Sequence, residues 1–144
     1  MKINPNLSHR TLARQLLTQA LYQHELADTS ATKLETLFQQ RPEWSSLDQN
    51  LFRNALRYIL THKAELDAVY KPYLDRAFSL IDPVERGILR LGVYELTQTP
   101  EVPYKTVIDE AVELAKDFGA EDSYKYINAV LDKVSKQVRQ HETA

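Results

Sequence analysis

The stretch IDPVERGILRLGVYEL, residues 81–96, decides the fold class. Asp82, Pro83 and Glu85 read as a helix start: a capping acid, a proline at the first helical position and an acid in the first turn. Behind them Val84, Ile88, Leu89, Leu91, Val93 and Leu96 fall on more than one side of the predicted helix. A helix that is apolar over most of its circumference belongs at the centre of a bundle. Gly87 and Gly92 sit where neighbouring helices can approach its backbone closely.

Helical periodicity continues on both sides of this stretch. Upstream, Ala13, Leu16, Leu17, Ala20 and Leu21 make one apolar stripe over residues 8–27, with Ser8 as the cap. Leu34, Leu37 and Phe38 predict a shorter helix over Thr32–Gln40, ended by Pro42. Ser46 and Gln49 have the spacing of a capping box. Leu47, Leu51, Ala55, Ile59 and Leu66 then predict one helix to about Tyr70, which Pro72 breaks, with a short turn of helix over 72–78. Downstream, TQTPEVP (97–103) is a loop, and Pro103 starts a helix with Val107, Ala111, Leu114, Ala115 and Phe118 inward and Gly119 at its end. Asp122 or Ser123 caps a last helix carrying Ile127, Val130, Leu131, Val134 and Val138. The tail Lys136–Ala144 is expected to fray. The pattern predicts an all-α fold, a compact bundle of about seven helices in one domain. Its packed halves cover about 1–80 and 81–144, neither large enough to stand alone.

Composition removes several functional classes. Cysteine is absent, so there is no disulfide framework or thiolate metal site. His9, His24, His62 and His141 lack the three- or four-residue spacing of helical metal ligands. Three glycines cannot build a phosphate-binding glycine loop, and no nucleophile-elbow pattern occurs. No cofactor, metal or catalytic residue is expected. No apolar run approaches the roughly 20 residues that span a bilayer, and the N-terminus lacks the apolar stretch of a signal peptide. The expectation is a cytoplasmic protein with no membrane partner.

The charge pattern is more specific. The chain is net −2, yet its first acid is Glu25. Lys2, Arg10 and Arg14 lie ahead of it. Arg10, Arg14, Thr18 and Tyr22 recur every four residues and predict a polar ridge beside the apolar stripe. Two readings stand for this ridge: a phosphate-holding surface or a solvated basic face. Tyr104, Tyr124 and Tyr126 flank the later helices, either as stacking platforms for unpaired bases or as half-buried packing residues. Asp109, Glu110, Glu113, Asp117, Glu121 and Asp122 make the segment before Tyr124 acidic, which opposes phosphate there.

ARQLLTQALYQ (13–23), VERGILRLGVYEL (84–96) and VPYKTVIDEAVELAKDFGAEDSYKYINAVLDK (102–133) together resemble the NusB family of bacterial transcription antitermination factors. The likeness is good over about 13–27 and 72–134, and one of pattern over 28–71. It implies an all-helical, non-enzymatic protein. It implies binding of boxA, a single-stranded RNA signal of ribosomal RNA operons, as a heterodimer with NusE, a small-subunit ribosomal protein. The pair would join other Nus factors on RNA polymerase. The family's arginine-rich motif falls on Arg10–Arg14, although Thr11 and Leu12 stand where some members carry arginine. By the same resemblance Lys2, Arg10, Arg14, Asp122, Tyr124 and Tyr126 would face RNA. Tyr22, Glu85 and Arg86 would face NusE, and Asn128 would be a structural hydrogen-bonding residue. A helical module of this kind also precedes some ribosomal RNA cytosine methyltransferases; that reading calls for a methyltransferase domain with a glycine-rich cofactor loop, which is not expected for this chain. A protein scaffold without an RNA role is the remaining alternative.

Overall fold

A computed structural model describes residues 7–144. Its described residues form eight α-helices and three short 3₁₀ turns. The α-helices are α1 (His9–Ala27), α2 (Ala31–Gln39), α3 (Gln49–Thr61), α4 (Lys63–Tyr70), α5 (Pro83–Gln98), α6 (Tyr104–Phe118), α7 (Ser123–Val138) and α8 (Gln140–Thr143). The all-α expectation holds.

The quoted stretch is the hub. Asp82 and Glu85 close a reciprocal capping box: the Glu85 amide donates to Asp82 at 2.8 Å and the Asp82 amide to Glu85 at 3.3 Å. From Gly87 to Leu96 every residue of α5 is buried, because α1, α3, α4, α6 and α7 all pack around it. Gly92 is required by that packing. A Cβ there would lie 2.8 Å from Leu131 Cδ1 on α7. Leu21 meets Gly87, Arg14 meets Glu95 and Glu25 meets Arg86 and Arg90, so α1 runs antiparallel to α5. Leu131 opposite Gly92 and Arg139 opposite Leu96 make α7 parallel to α5.

Three local expectations are corrected. Asp48, not Ser46, caps α3, accepting from the Leu51 amide at 3.0 Å; a carboxylate suits the positive end of the helix, and Ser46 belongs to the 3₁₀ turn Pro42–Ser46. The helix expected to reach Tyr70 breaks at His62, whose backbone leaves helical geometry (φ −128°, ψ 29°). The His62 ring bonds the Tyr58 carbonyl and Thr61 Oγ1 the Arg57 carbonyl. Ile59, Leu66 and Tyr70 stay buried on both sides of the break, so apolar spacing alone does not reveal it. The tail does not fray. The buried Arg139 guanidinium donates to the carbonyls of Leu96 (2.7 Å), Thr99 (3.2 Å) and Glu95 (3.3 Å). Glu142 accepts from the Tyr104 amide at 2.7 Å, a cap that Pro103 cannot supply.

Candidate nucleic-acid interface

Ser8 caps α1 by accepting from the Thr11 amide. This fixes Arg10 in the first turn and Arg14 one turn later. Their surroundings differ sharply. The Arg10 side chain is 60% exposed, with Asp48 at 3.8 Å as a loose partner. Arg14 is buried at 3% side-chain exposure. Its Nε and Nη2 grip both oxygens of Glu95 at 2.8–3.2 Å, and Nη1 lies 3.3 Å from Glu110. Burial disfavours the Arg14 charge, but the bonded Glu95 carboxylate and the Glu110 and Asp48 charges outweigh it and raise its pKa. Thr18 is buried too, with its hydroxyl donating to the Arg14 carbonyl at 2.9 Å. The expected polar ridge is therefore corrected. Arg14 and Thr18 face the bundle, while Arg10 faces solvent. Four-residue spacing aligns side chains but does not say which side meets a neighbour carrying counter-charge.

Beside Arg10 lies a groove of about 240 Å³ between α3, the end of α5 and the following loop. Leu51, Tyr94 and Val102 supply apolar wall, and Asn50, Asn54 and Glu101 line it as well.

Of the aromatic candidates, the half-buried Tyr104 starts α6 beside Glu142, at the same end of α5 as Arg14, whereas Tyr124 and Tyr126 stand at the other end. Tyr126 is 9% exposed, with the Arg76 guanidinium 4.0 Å over its ring and its hydroxyl without a hydrogen-bond partner among the described residues. Burial pushes that hydroxyl up to about 12. Arg76, Glu85 and Tyr126 act on one another's charge, so these three residues form one cluster. Burial raises the Glu85 carboxyl; the hydrogen bond from the Asp82 amide opposes the rise, the Asp82 carboxylate adds to it and Arg76 opposes it. Tyr124 is half-buried, with Lys116 5.0 Å and Lys125 5.9 Å from its ring centre. Asp122 is exposed in a left-handed conformation (φ 67°), pairs with Lys125 at 3.4 Å and makes no side-chain cap bond. Glu85 and Glu95 mark the two ends, which the helical rise sets about 15 Å apart. The structure thus divides the RNA candidates into an Arg10 end and a Tyr126 end. Lys2 lies outside the described residues.

Among the partner candidates, Tyr22 is half-buried beside a largely apolar groove of about 440 Å³ with Gln19, Gln23, Ala27 and Leu26. Leu26 is 62% exposed. Glu85 is spent on the capping box. Arg86 pairs with Glu25 at 3.0 Å and donates to the Ile81 carbonyl at 2.9 Å. Asn128 is exposed, a poor place for a structural hydrogen bond. Sequence reasoning missed Arg76, Asp48 and Glu95. Glu95 left a signal, a lone acid in an apolar stretch. Arg76 left none.

Residues 11–136 match the family model described as the NusB family. The chain belongs to the NusB family. A transcription antitermination protein NusB of Hydrogenovibrio crunogenus is 44% identical over 137 residues, 95% of this chain and 85% of that protein. One of Pseudoalteromonas atlantica is 45% identical over 133 residues, 92% of this chain and 95% of that protein. In solved structures, NusB of T. maritima superposes with a TM-score of 0.76 at 30% identity, covering 95% of this chain and 94% of that one. A structure of antitermination factors NusB and NusE in complex with double-stranded RNA superposes at 0.74, with 24% identity and 90% and 97% covered; at that identity the likeness is one of fold. The NusB family consists of transcription antitermination factors and not enzymes, and this chain is one of them. No helix among the described residues is long and apolar enough to cross a membrane.

Proposed function

We propose that this NusB-family chain binds boxA-type single-stranded RNA of ribosomal RNA operons together with NusE, and joins other Nus factors on RNA polymerase to keep transcription processive. Such work is done in the bacterial cytoplasm. The observation that carries the RNA assignment is Arg10, a solvent-facing guanidinium on a helix end that has no acid in its first turn. Arg14 is a positioning residue in this reading: its pairs with Glu95 and Glu110 fix the helix that presents Arg10. Tyr124 and Tyr126 are a second contact area at the other end of α5, where the Asp122 carboxylate limits how closely a phosphate passes; Lys2, outside the described residues, is kept as a further cation. Tyr22 and the exposed Leu26 offer the NusE face, with Glu85 and Arg86 setting the start of α5 beside it. A chain of the same fold has been solved with NusE and double-stranded RNA, which supports the partner side of this reading.

Fluorescence anisotropy with labelled boxA RNA tests the assignment. Arg10→Glu should weaken binding with and without NusE. One cation reverses at few phosphates, so the salt slope should be shallow, about −0.7 per contact. The burial of Arg14 favours a second reading, a protein scaffold without RNA contact. That reading gains if Arg10→Glu leaves RNA affinity unchanged while NusE still binds.

A further inference from the structure

A separate groove of about 440 Å³ runs between α1 and α6. Asp109, Glu113 and Asp117 line it from α6, each exposed and four residues from the next. Four residues rise about 6 Å along a helix, so the three carboxylates form a row with that step. Little cancels their charge. Among the described residues the ion pairs of α6 are Glu110 with Arg14 at 3.3 Å and the exposed Glu113 with Lys116 at 3.6 Å, which leaves Asp109 and Asp117 without a cation. The α1 side adds a buried amide. Gln15 lines the groove at 5% exposure. Its Nε2 donates to Asp117 across 3.4 Å, and its Oε1 has no hydrogen-bond partner among the described residues. A bond that long holds the amide weakly, and a buried acceptor without a donor costs stability. A ligand that completes this groove therefore brings donors and positive charge. A single metal ion does not suit it, because no three acidic or histidine side chains among the described residues converge to hold one. The positive charge has to be spread along the row.

We propose that the groove between α1 and α6 binds a linear aliphatic polyamine, a chain with ammonium groups three or four methylenes apart. At ordinary bond lengths such spacers set neighbouring nitrogens about 5–6 Å apart, which matches the step of the carboxylate row. Ammonium groups only donate, and carboxylates and the Gln15 carbonyl only accept. The methylenes between them lie against Leu7 and Leu114, the apolar part of the lining. The volume falls within the roughly 300–1,000 Å³ of small-ligand clefts. Gln15 Oε1 accepts from one ammonium, and that contact distinguishes a seated ligand from a diffuse layer of counterions. Because the ligand touches both helices of the folded protein, it stabilises the native state by mass action.

Spermidine is the probe, with 1,4-diaminobutane and magnesium chloride as controls at matched ionic strength. In amide-correlation NMR of the full chain, spermidine should shift the Gln15 side-chain signals saturably. The diamine, one ammonium shorter, should bind about two- to fivefold more weakly, the upper range for one exposed ion pair. Magnesium should leave the Gln15 signals in place. Spermidine should also raise the melting temperature where magnesium does not. Asp109→Asn/Glu113→Gln/Asp117→Asn keeps the side-chain shapes at three exposed positions and should weaken spermidine at least about fivefold in a chain that still melts cooperatively. A Gln15 shift that never saturates or that magnesium reproduces means a counterion layer only, and overturns the proposal. So does a triple variant that binds spermidine as tightly as the wild type, or a diamine that binds as tightly as spermidine. No RNA takes part in these experiments, so their failure leaves the RNA-binding reading untouched.

Discussion

Replacing Arg14 with methionine separates structural from RNA-contacting arginines. Methionine keeps much of the aliphatic stem and removes the guanidinium. Glu95, at 3% side-chain exposure, would lose all three of its Arg14 hydrogen bonds. Glu110 would keep Thr11 Oγ1 at 2.7 Å and is more exposed, so its loss is minor. Removing one partner of a buried pair costs about 3–5 kcal/mol. With a urea slope of about 2 kcal/mol per molar, the unfolding midpoint should fall by about 1.5–2.5 M. The double variant Arg14→Met/Glu95→Leu removes both charges and should recover most of that loss, giving a coupling energy of at least about 2 kcal/mol. RNA affinity of folded Arg14→Met should fall less than that of Arg10→Glu. A midpoint shift below about 0.5 M, together with an RNA defect as large as that of Arg10→Glu, would refute the argument and make Arg14 a phosphate ligand.

Arg139→Ala removes the guanidinium from the Leu96 and Thr99 carbonyls and from that of Glu95, which keeps the Thr99 amide and hydroxyl, and should cost about 1–3 kcal/mol, read by urea unfolding; a neutral result would restore the frayed tail. Glu25 titrates low: burial opposes its charge, but the hydrogen bond from Arg90 and the charges of Arg90 and Arg86 outweigh that. A lowered folded pKa gives stability that is present above the unfolded value, near 4.5, and lost as pH falls through the folded one. Glu25→Gln should therefore lose stability at pH 7 and lack that part of the acid-side decline, and parallel wild-type and variant melting curves from pH 7 to pH 3 would contradict this. Tyr126→Phe removes a buried hydroxyl that has no partner among the described residues and should be neutral or stabilising by up to about 1 kcal/mol. Destabilisation beyond about 1 kcal/mol in a thermal melt would reveal a partner for the hydroxyl.

The fold was largely legible because its determinants are local. The Asp82–Pro83–Glu85 start and the apolar stripes of α1, α6 and α7 are short-range patterns that tertiary packing reinforces. The misread features depend on distant residues. The break at His62 leaves the apolar face in register. The ordered tail depends on Arg139 finding carbonyls at the far end of α5 and on Glu142 capping α6. Half of the expected ridge was likewise unreadable. The fates of Arg10 and Arg14 diverge because Glu95 and Glu110 come from helices far along the chain. Arg76 over Tyr126 joins a loop to α7 with no sequence pattern linking them.

The acid-free start of the chain can now be divided between folding and function. Acids in the first turn of a helix normally stabilise it by about 0.3–1 kcal/mol, and α1 has none. Other elements supply that negative charge instead. Asp48 approaches Arg10, Glu95 and Glu110 hold Arg14, Glu110 also accepts from Thr11, and Asp117 accepts from Gln15. An acid on this face of α1 would meet those carboxylates, so repulsion within the fold is enough to exclude it at Thr11, Arg14 and Gln15. RNA is not needed to explain those positions. Arg10 is where the proposed RNA contact has something to add, since its only described ion-pair partner is 3.8 Å away and its side chain stays in solvent. An exposed pair of that kind contributes little to stability. Arg10→Glu should therefore leave the melting temperature nearly unchanged while weakening RNA binding. A large stability loss would mean that Arg10, too, belongs to the fold.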